Sequence, residues 1–223
     1  MAVNDAKKAE AIVAQAFDCA DSLAAVVAAS ATHRNFSPRA TILHAGDPSS
    51  HIYLIIEGHA QAIAITVDGR AVLVQDFHEG ELFGEGVVLP GGMQEEDVVA
   101  VDTVDASQFR ADVFVGLMEK YSSVAMAVSR LVVARLYRTT RRMVESATLS
   151  ANGRVYAELL RQAKANDGVI RPSPKHADFA LLVQSTRETV SRAISILEKK
   201  GIIRREGDAL TVVAPHRLEE MIS

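Results

Sequence analysis

The sequence predicts an α+β chain: an antiparallel β-sandwich or barrel, then a long helix, then a winged helix-turn-helix. Three observations carry this. Between about Arg34 and Val115, short β-branched runs alternate with glycine turns at regular spacing. From about Asp112 to Ala147 glycine and proline nearly vanish. The stretch Asp178 to Gly201, DFALLVQSTRETVSRAISILEKKG, holds two amphipathic helical stripes around a short polar turn.

In chain order, residues 4–32 are alanine-rich with helical periodicity and predict one or two short helices. Strands are expected at Thr41-Ile42-Leu43 before Ala45-Gly46-Asp47, at Ile52 to Ile56 before Glu57-Gly58, and at Ala60 to Val67 before Asp68-Gly69. Further strands are expected at Ala71 to Phe77 before Glu79-Gly80, and at Val98 to Val104, leading towards Ser107-Gln108-Phe109. In the long helix, Ala125, Val128, Val132, Leu136, Thr139, Met143 and Ser146 recur at steps of three or four. That spacing suits a coiled coil, so Val128, Val132, Leu136, Thr139 and Met143 are the expected seam with a second copy of the chain. A helix Gly153 to Ala165 and a polar loop Asn166 to Pro174 follow. Phe179, Leu182 and Val183 then give a short helix its apolar side, and Ser185-Thr186 offers the next helix an N-cap. Val190, Ala193, Ile194 and Leu197 form that second helix's buried stripe, and Ile202 to Val213 reads as two strands around Glu206-Gly207-Asp208, a wing. Domains are expected at 1–111, 112–147 and 148–223.

Composition narrows the class. With 223 residues, 48% hydrophobic and 23% charged, the chain is ordinary globular material. Its one cysteine, Cys19, excludes an intrachain disulfide and any cysteine-ligated cluster within one chain, and is read as an inert thiol. The apolar run Leu23 to Ala29 is too short to span a bilayer, and the first residues lack a signal-peptide order, so a cytoplasmic protein without membrane contact is expected. Net charge is −4, but residues 130–223 hold 17 basic and 10 acidic side chains whereas residues 1–129 hold 7 and 18. A basic C-terminal half beside an acidic N-terminal half predicts that only the former meets phosphates.

The second helix of the helix-turn-helix carries Arg187, Glu188, Ser191 and Arg192 near its start. Those positions reach base edges when such a helix lies in the major groove. Arginine reads guanine through O6 and N7, and glutamate accepts from cytosine N4. Lys175, His176, Thr186 and Thr189 are expected at phosphates.

The order of these parts resembles the cyclic-AMP receptor protein/fumarate-nitrate regulator family of transcription factors, over roughly residues 20–213. The signposts are Ala45-Gly46-Asp47, Tyr53-Leu54-Ile55-Ile56-Glu57-Gly58, Gly80-Glu81-Leu82-Phe83-Gly84-Glu85, Asn152-Gly153-Arg154 and Thr186-Arg187-Glu188-Thr189-Val190-Ser191-Arg192. The resemblance implies a β-roll sensor of the jelly-roll kind, a dimerisation helix, and a homodimer on a near-palindromic site. Arg187, Glu188 and Arg192 match the base-reading residues of the cyclic-AMP branch. Glu188, Ser191 and Arg192 match the E-x-x-S-R pattern of the fumarate-nitrate branch. A half-site containing TGA is expected, with its outer bases open. Expected partners are double-stranded DNA, a second copy of the chain, RNA polymerase and an unidentified small-molecule effector or none. No cofactor is expected.

A cyclic-nucleotide site in this family needs a glutamate for the ribose and an arginine for the phosphate. Gly84-Glu85 matches the first half. Glu95-Glu96 stands where the arginine pair belongs, and no arginine or lysine lies between Arg70 and Arg110. A carboxylate there replaces a charge-assisted bond by repulsion, so cyclic AMP is not the expected effector. Thr139 and Thr140 do match the hydroxyl pair that meets the purine. A pocket of Gly84, Glu85, Glu95, Glu96, Thr139 and Thr140 suits a cationic or hydroxylated ligand, or none. A cyclic-nucleotide-responsive regulator with an atypical pocket is the alternative; a cupin-like metal enzyme is the rival class. His33, His44, His51, His59 and His78 lack H-x-H or H-x-x-x-H spacing, so they read as scattered surface residues without a metal.

Overall fold

The computed structural model describes residues 3–222 apart from Asp68 and Arg70, with side chains from Ala6 onward, so the expected turn residue Asp68 lies outside the described residues. The chain forms two compact units divided at Arg135 and Leu136.

In the first unit, helices α1 (Val3–Ala16) and α2 (Asp21–Ala29) precede eight strands. These are β1 (Thr32–Phe36), β2 (Thr41–Leu43), β3 (His51–Glu57), β4 (Ala60–Ile65), β5 (Ala71–Phe77), β6 (Leu82–Phe83), β7 (Asp97–Ala100) and β8 (Val104–Arg110). They make two antiparallel four-stranded sheets, ordered β1-β8-β3-β6 and β2-β7-β4-β5. Strand β3 shows why the unit has two cores. Its Tyr53 and Ile55 join Ile42, Ala62, Phe77 and Phe83 from both sheets. The alternate residues Ile52, Leu54 and Ile56 pack with Val13, Phe17 and Val27 of the N-terminal helices. Side chains alternate across a strand, so β3 is apolar and buried from Ile52 to Ile56 because both its faces are covered there.

Helix α3 (Ala111–Lys120) follows β8, and α4 (Ser122–Thr148) crosses from the first unit to the second. The single helix expected from Asp112 to Ala147 is therefore two. Tyr121 adopts extended φ −124°, ψ 106°, and the chain restarts with Val124 N–H bonded to the Tyr121 carbonyl. Neither glycine nor proline marks this break; the tertiary packing of Phe114 and Val124 into one core imposes it. The run Val98 to Val104 likewise divides into β7 and β8, with Val101–Thr103 as the turn between the two sheets. Gly58 serves that turn: at φ +95° it faces the Thr103 carbonyl, where a Cβ has no room.

The second unit contains the end of α4, α5 (Ala151–Ala165), β9 (Val169–Ile170), α6 (His176–Leu182), α7 (Arg187–Lys199), β10 (Ile203–Glu206), β11 (Ala209–Val212) and α8 (Pro215–Glu219). The wing is a three-stranded sheet, β10-β11-β9. The expected loop 166–174 thus contributes a strand, since Val169 and Ile170 pair with Thr211 and Leu210. One core holds Leu159, Phe179, Val190, Ile194, Leu197, Ile202 and Leu210. Full burial of each such side chain contributes about 1.5–3 kcal/mol. That is what holds α7 against α5. No single helix among the described residues is long and apolar enough to cross a membrane.

Candidate nucleic-acid interface and effector pocket

Helix α7 starts where the sequence places it. Thr186 is its N-cap, accepting from the Thr189 backbone N–H at 3.2 Å. The Thr189 hydroxyl lies 3.0 Å from that of Thr186, so one of the expected phosphate contacts caps the helix and the other is bonded to the cap. Val190, Ala193, Ile194 and Leu197 face the core. Opposite them Arg187, Glu188 and Arg192 are exposed and Ser191 is half-buried. Ser195, which sequence reasoning did not single out, continues the 188, 191, 192 face by one further helical step. The Glu188 carboxyl is held below its usual range by its own backbone N–H and the Thr186 hydroxyl, with Arg187 and Arg192 adding to this. It is therefore an anion and an acceptor.

The turn before α7 is braced by a residue known beforehand only as a signpost. Arg154 on α5 donates to the carbonyls of Val183 at 2.9 Å, Gln184 at 2.8 Å and Leu149 at 3.2 Å. Gln184 is left-handed, φ +51°, and the chain reverses there. Beside the turn, Lys175 precedes α6 as an exposed N-cap, and His176 lies 3.5 Å from Arg205 of the wing. Burial pushes the His176 imidazole below its ordinary value near 6.5, and Arg205 and Arg187 push it further.

On α4 the expected seam is mostly on the surface. Val132, Leu136 and Met143 are 42%, 63% and 66% exposed. A parallel line, Val133, Tyr137 and Val144, is exposed beside it. Val128 differs from the expectation: it is 4% exposed and packs into the first unit's core with Val124.

The pocket motif is built as a tight corner. Gly84 has φ +87°, and a Cβ there would lie 2.6 Å from the His51 carbonyl. Glu85 begins a 3-10 turn, Glu85–Val88. Its carboxylate is paired with Arg135 of α4, which also donates to the Leu82 carbonyl and lies 5.2 Å over the Phe77 ring. Arg135 is buried, yet its Nε has no hydrogen-bond partner among the described residues; nor does Ser49 Oγ, which adjoins Gly86. Burial pushes the Glu96 carboxyl up, and Glu85 and Glu95 add to it. Three carboxylates thus share the corner with one guanidinium. Thr139 and Thr140 lie one turn beyond Arg135 on α4 and are exposed.

The histidines are not all scattered. His59 and His78 stack with ring centroids 4.5 Å apart, and both approach Asp76. Nineteen residues apart in sequence, they meet because the β4–β5 hairpin brings them together across strands.

Two family models match. The model described as cyclic nucleotide-binding domain covers residues 33–121, and that described as Crp-like helix-turn-helix domain covers residues 153–221. Among characterised relatives, the chain is similar to the cAMP-activated global transcriptional regulator CRP of Pasteurella multocida, 24% identical over 79% of this chain and 88% of the relative. It is similar to the cAMP-activated global transcriptional regulator Vfr of Pseudomonas aeruginosa, 26% identical over 80% and 88%. In fold it is similar to FixK2 of Bradyrhizobium japonicum, with TM-score 0.72 and 20% identity over 86% of this chain and 98% of that one. It is also similar to a CooA mutant of Carboxydothermus hydrogenoformans, with TM-score 0.78 and 14% identity over 89% and 90%. With a cyclic nucleotide-binding domain followed by a Crp-like helix-turn-helix, the chain belongs to the cyclic-AMP receptor protein/fumarate-nitrate regulator family of DNA-binding transcription regulators.

Proposed function

We propose that the chain acts in the cytoplasm as a homodimer whose two α7 helices enter successive major grooves of a near-palindromic site with TGA-containing half-sites. Arg187 and Arg192 each specify a guanine, Glu188 accepts from cytosine, and Ser191 adds a neutral contact. Lys175, His176, Thr186 and Thr189 meet phosphates and set the register. RNA polymerase is the partner once DNA is bound. The observation that carries this reading is the α7 face, on which Arg187, Glu188, Ser191 and Arg192 project from a capped helix whose opposite side is core. The exposed line Val132, Leu136 and Met143 supports the dimer.

Cyclic AMP is not the effector in this reading. The buried guanidinium of this corner, Arg135, is already engaged by Glu85 and the Leu82 carbonyl, and Glu95 and Glu96 add negative charge. A ligand shifts a conformational equilibrium only by its differential affinity for the two states, and repulsion at the phosphate removes that difference. A second reading is favoured by the unpartnered Nε of buried Arg135: an anionic ligand, a cyclic nucleotide included, draws Arg135 away from Glu85. Calorimetric titration of dialysed protein with cyclic AMP and cyclic GMP, followed by a DNA-binding assay with each nucleotide, separates the two. No saturable heat and unchanged operator affinity are expected. Micromolar binding with a gain of about tenfold in operator affinity, near 1.4 kcal/mol, establishes the second reading instead.

A further inference from the structure

We propose that His59, Asp76 and His78 form a binding site for a divalent transition ion of the zinc, cobalt and nickel class on the β4–β5 hairpin of the sensor unit. The hairpin register builds it. Ala60 pairs with Phe77 and Gln61 with Asp76, so one step further His59 stands opposite His78. Asp76 lies two residues before His78 on the same strand side and is the diagonal neighbour of His59. All three side chains therefore project from one sheet face.

The geometry suits an ion. His59 Nε2 lies 2.5 Å from Asp76 Oδ1, and His78 Nε2 lies 4.0 Å from Asp76 Oδ2. One ligand atom from each residue lies within 4.8 Å of the others. Zinc bonds of about 2.0–2.1 Å at tetrahedral angles put ligand atoms about 3.4 Å apart. The observed separations bracket that value, and binding exchanges the His59–Asp76 hydrogen bond and the His59–His78 ring stack for bonds to the ion. Two imidazoles with one carboxylate select borderline ions over calcium or magnesium, which demand oxygen-rich shells. Solvent fills the remaining position.

The backbone on both sides is already fixed. The His59 N–H donates to Asp102 Oδ1 at 2.8 Å, and the His59 carbonyl accepts from Val101 at 2.8 Å. The His78 N–H donates to Glu81 Oε2 at 2.9 Å. Gln61 bonds the Asp76 carboxylate, as outer partners of metal ligands commonly do. Side-chain exposures of 23%, 35% and 63% for His59, Asp76 and His78 leave an open approach from solvent. An ion here ties β4 to the segment that runs through Glu79-Gly80-Glu81 into Leu82-Phe83-Gly84-Glu85, so the site braces the effector corner.

The test uses untagged full-length protein, stripped with chelator and dialysed, titrated with Zn²⁺ by calorimetry and with Co²⁺ by visible absorption. One ion per chain is expected, with a dissociation constant on the order of micromolar or below, together with a rise in melting temperature. His59→Ala and His78→Ala should each weaken binding by more than the roughly 10–100-fold that outer-shell losses cost, and should abolish the melting shift. His44→Ala and His216→Ala should leave the titration intact. Far-UV circular dichroism of each variant verifies its fold. A wild-type protein with no saturable binding overturns the proposal, and the trio is then a hydrogen-bonded His59–Asp76 pair alone. Saturable binding that survives both His59→Ala and His78→Ala overturns it equally, by placing the ion elsewhere.

Discussion

The buried guanidinium of Arg135 on α4 is paired with the carboxylate of Glu85 at the start of the 3-10 turn. Removing one partner of a buried pair costs about 3–5 kcal/mol because the other charge is left unpaired. Glu85 is about a third exposed, so water offsets part of that cost. Glu85→Gln should destabilise by about 1–3 kcal/mol in urea unfolding. The double variant Arg135→Met, Glu85→Gln should recover part of the loss, giving a positive coupling in the double-mutant cycle. Strictly additive losses would show that the pair contributes no coupling.

Arg154 should matter to DNA binding without touching DNA. Arg154→Ala removes the donors that hold the Val183 and Gln184 carbonyls. A loss of about 1–2 kcal/mol of stability is expected, since the part-buried Val183 acceptor loses a charge-assisted bond while the exposed Gln184 carbonyl turns to water. Operator affinity should fall with it, as α7 loses its fixed entry angle. A variant with wild-type melting temperature and wild-type affinity would remove Arg154 from this role.

His176 should make DNA binding pH-dependent. Burial, Arg205 and Arg187 lower its pKa in the free protein, with Glu198 opposing. The unfolded chain then takes up the proton first, so the stability this group contributes is present above about pH 6.5 and is lost as pH falls. A DNA phosphate beside the imidazole reverses the bias, and binding takes up a proton. Affinity should rise from about pH 8 to about pH 6 more steeply in wild type than in His176→Gln. Identical pH slopes would mean that His176 meets no phosphate.

The proposed dimer surface is tested at Leu136, which is 63% exposed in a single chain. Leu136→Asp should shift sedimentation from dimer to the 24.0 kDa chain and reduce operator affinity, because two half-sites are no longer engaged together. A wild-type protein that sediments as a 24.0 kDa monomer at micromolar concentration would place the seam elsewhere.

What the sequence revealed follows from which forces are local. The α7 cap at Thr186, the Glu206-Gly207-Asp208 wing turn and the glycine-bounded strands are set by residues within a few positions of one another. Strand β1, Thr-His-Arg-Asn-Phe, has no alternation of its own: four of its five residues are exposed, and pairing with β8 makes it a strand. The Tyr121 break and the inward turn of Val128 are equally products of packing. The acidic corner was visible from Glu85, Glu95 and Glu96. Its pairing with Arg135, fifty residues on, required the fold. His59 and His78 stayed apart until the hairpin register joined them.

The most direct test is selection of bound sites from a random duplex library by dialysed, nucleotide-free protein, repeated with Arg192→Ala and Arg187→Ala. Wild type should enrich a near-palindrome with TGA-containing half-sites about one helical turn apart. Each variant should lose about 1–3 kcal/mol on that site and relax preference at one base pair per half-site. Enrichment of no sequence by wild type, or an equal loss by both variants on specific and random DNA, would contradict base reading by the α7 face and reduce both arginines to phosphate contacts.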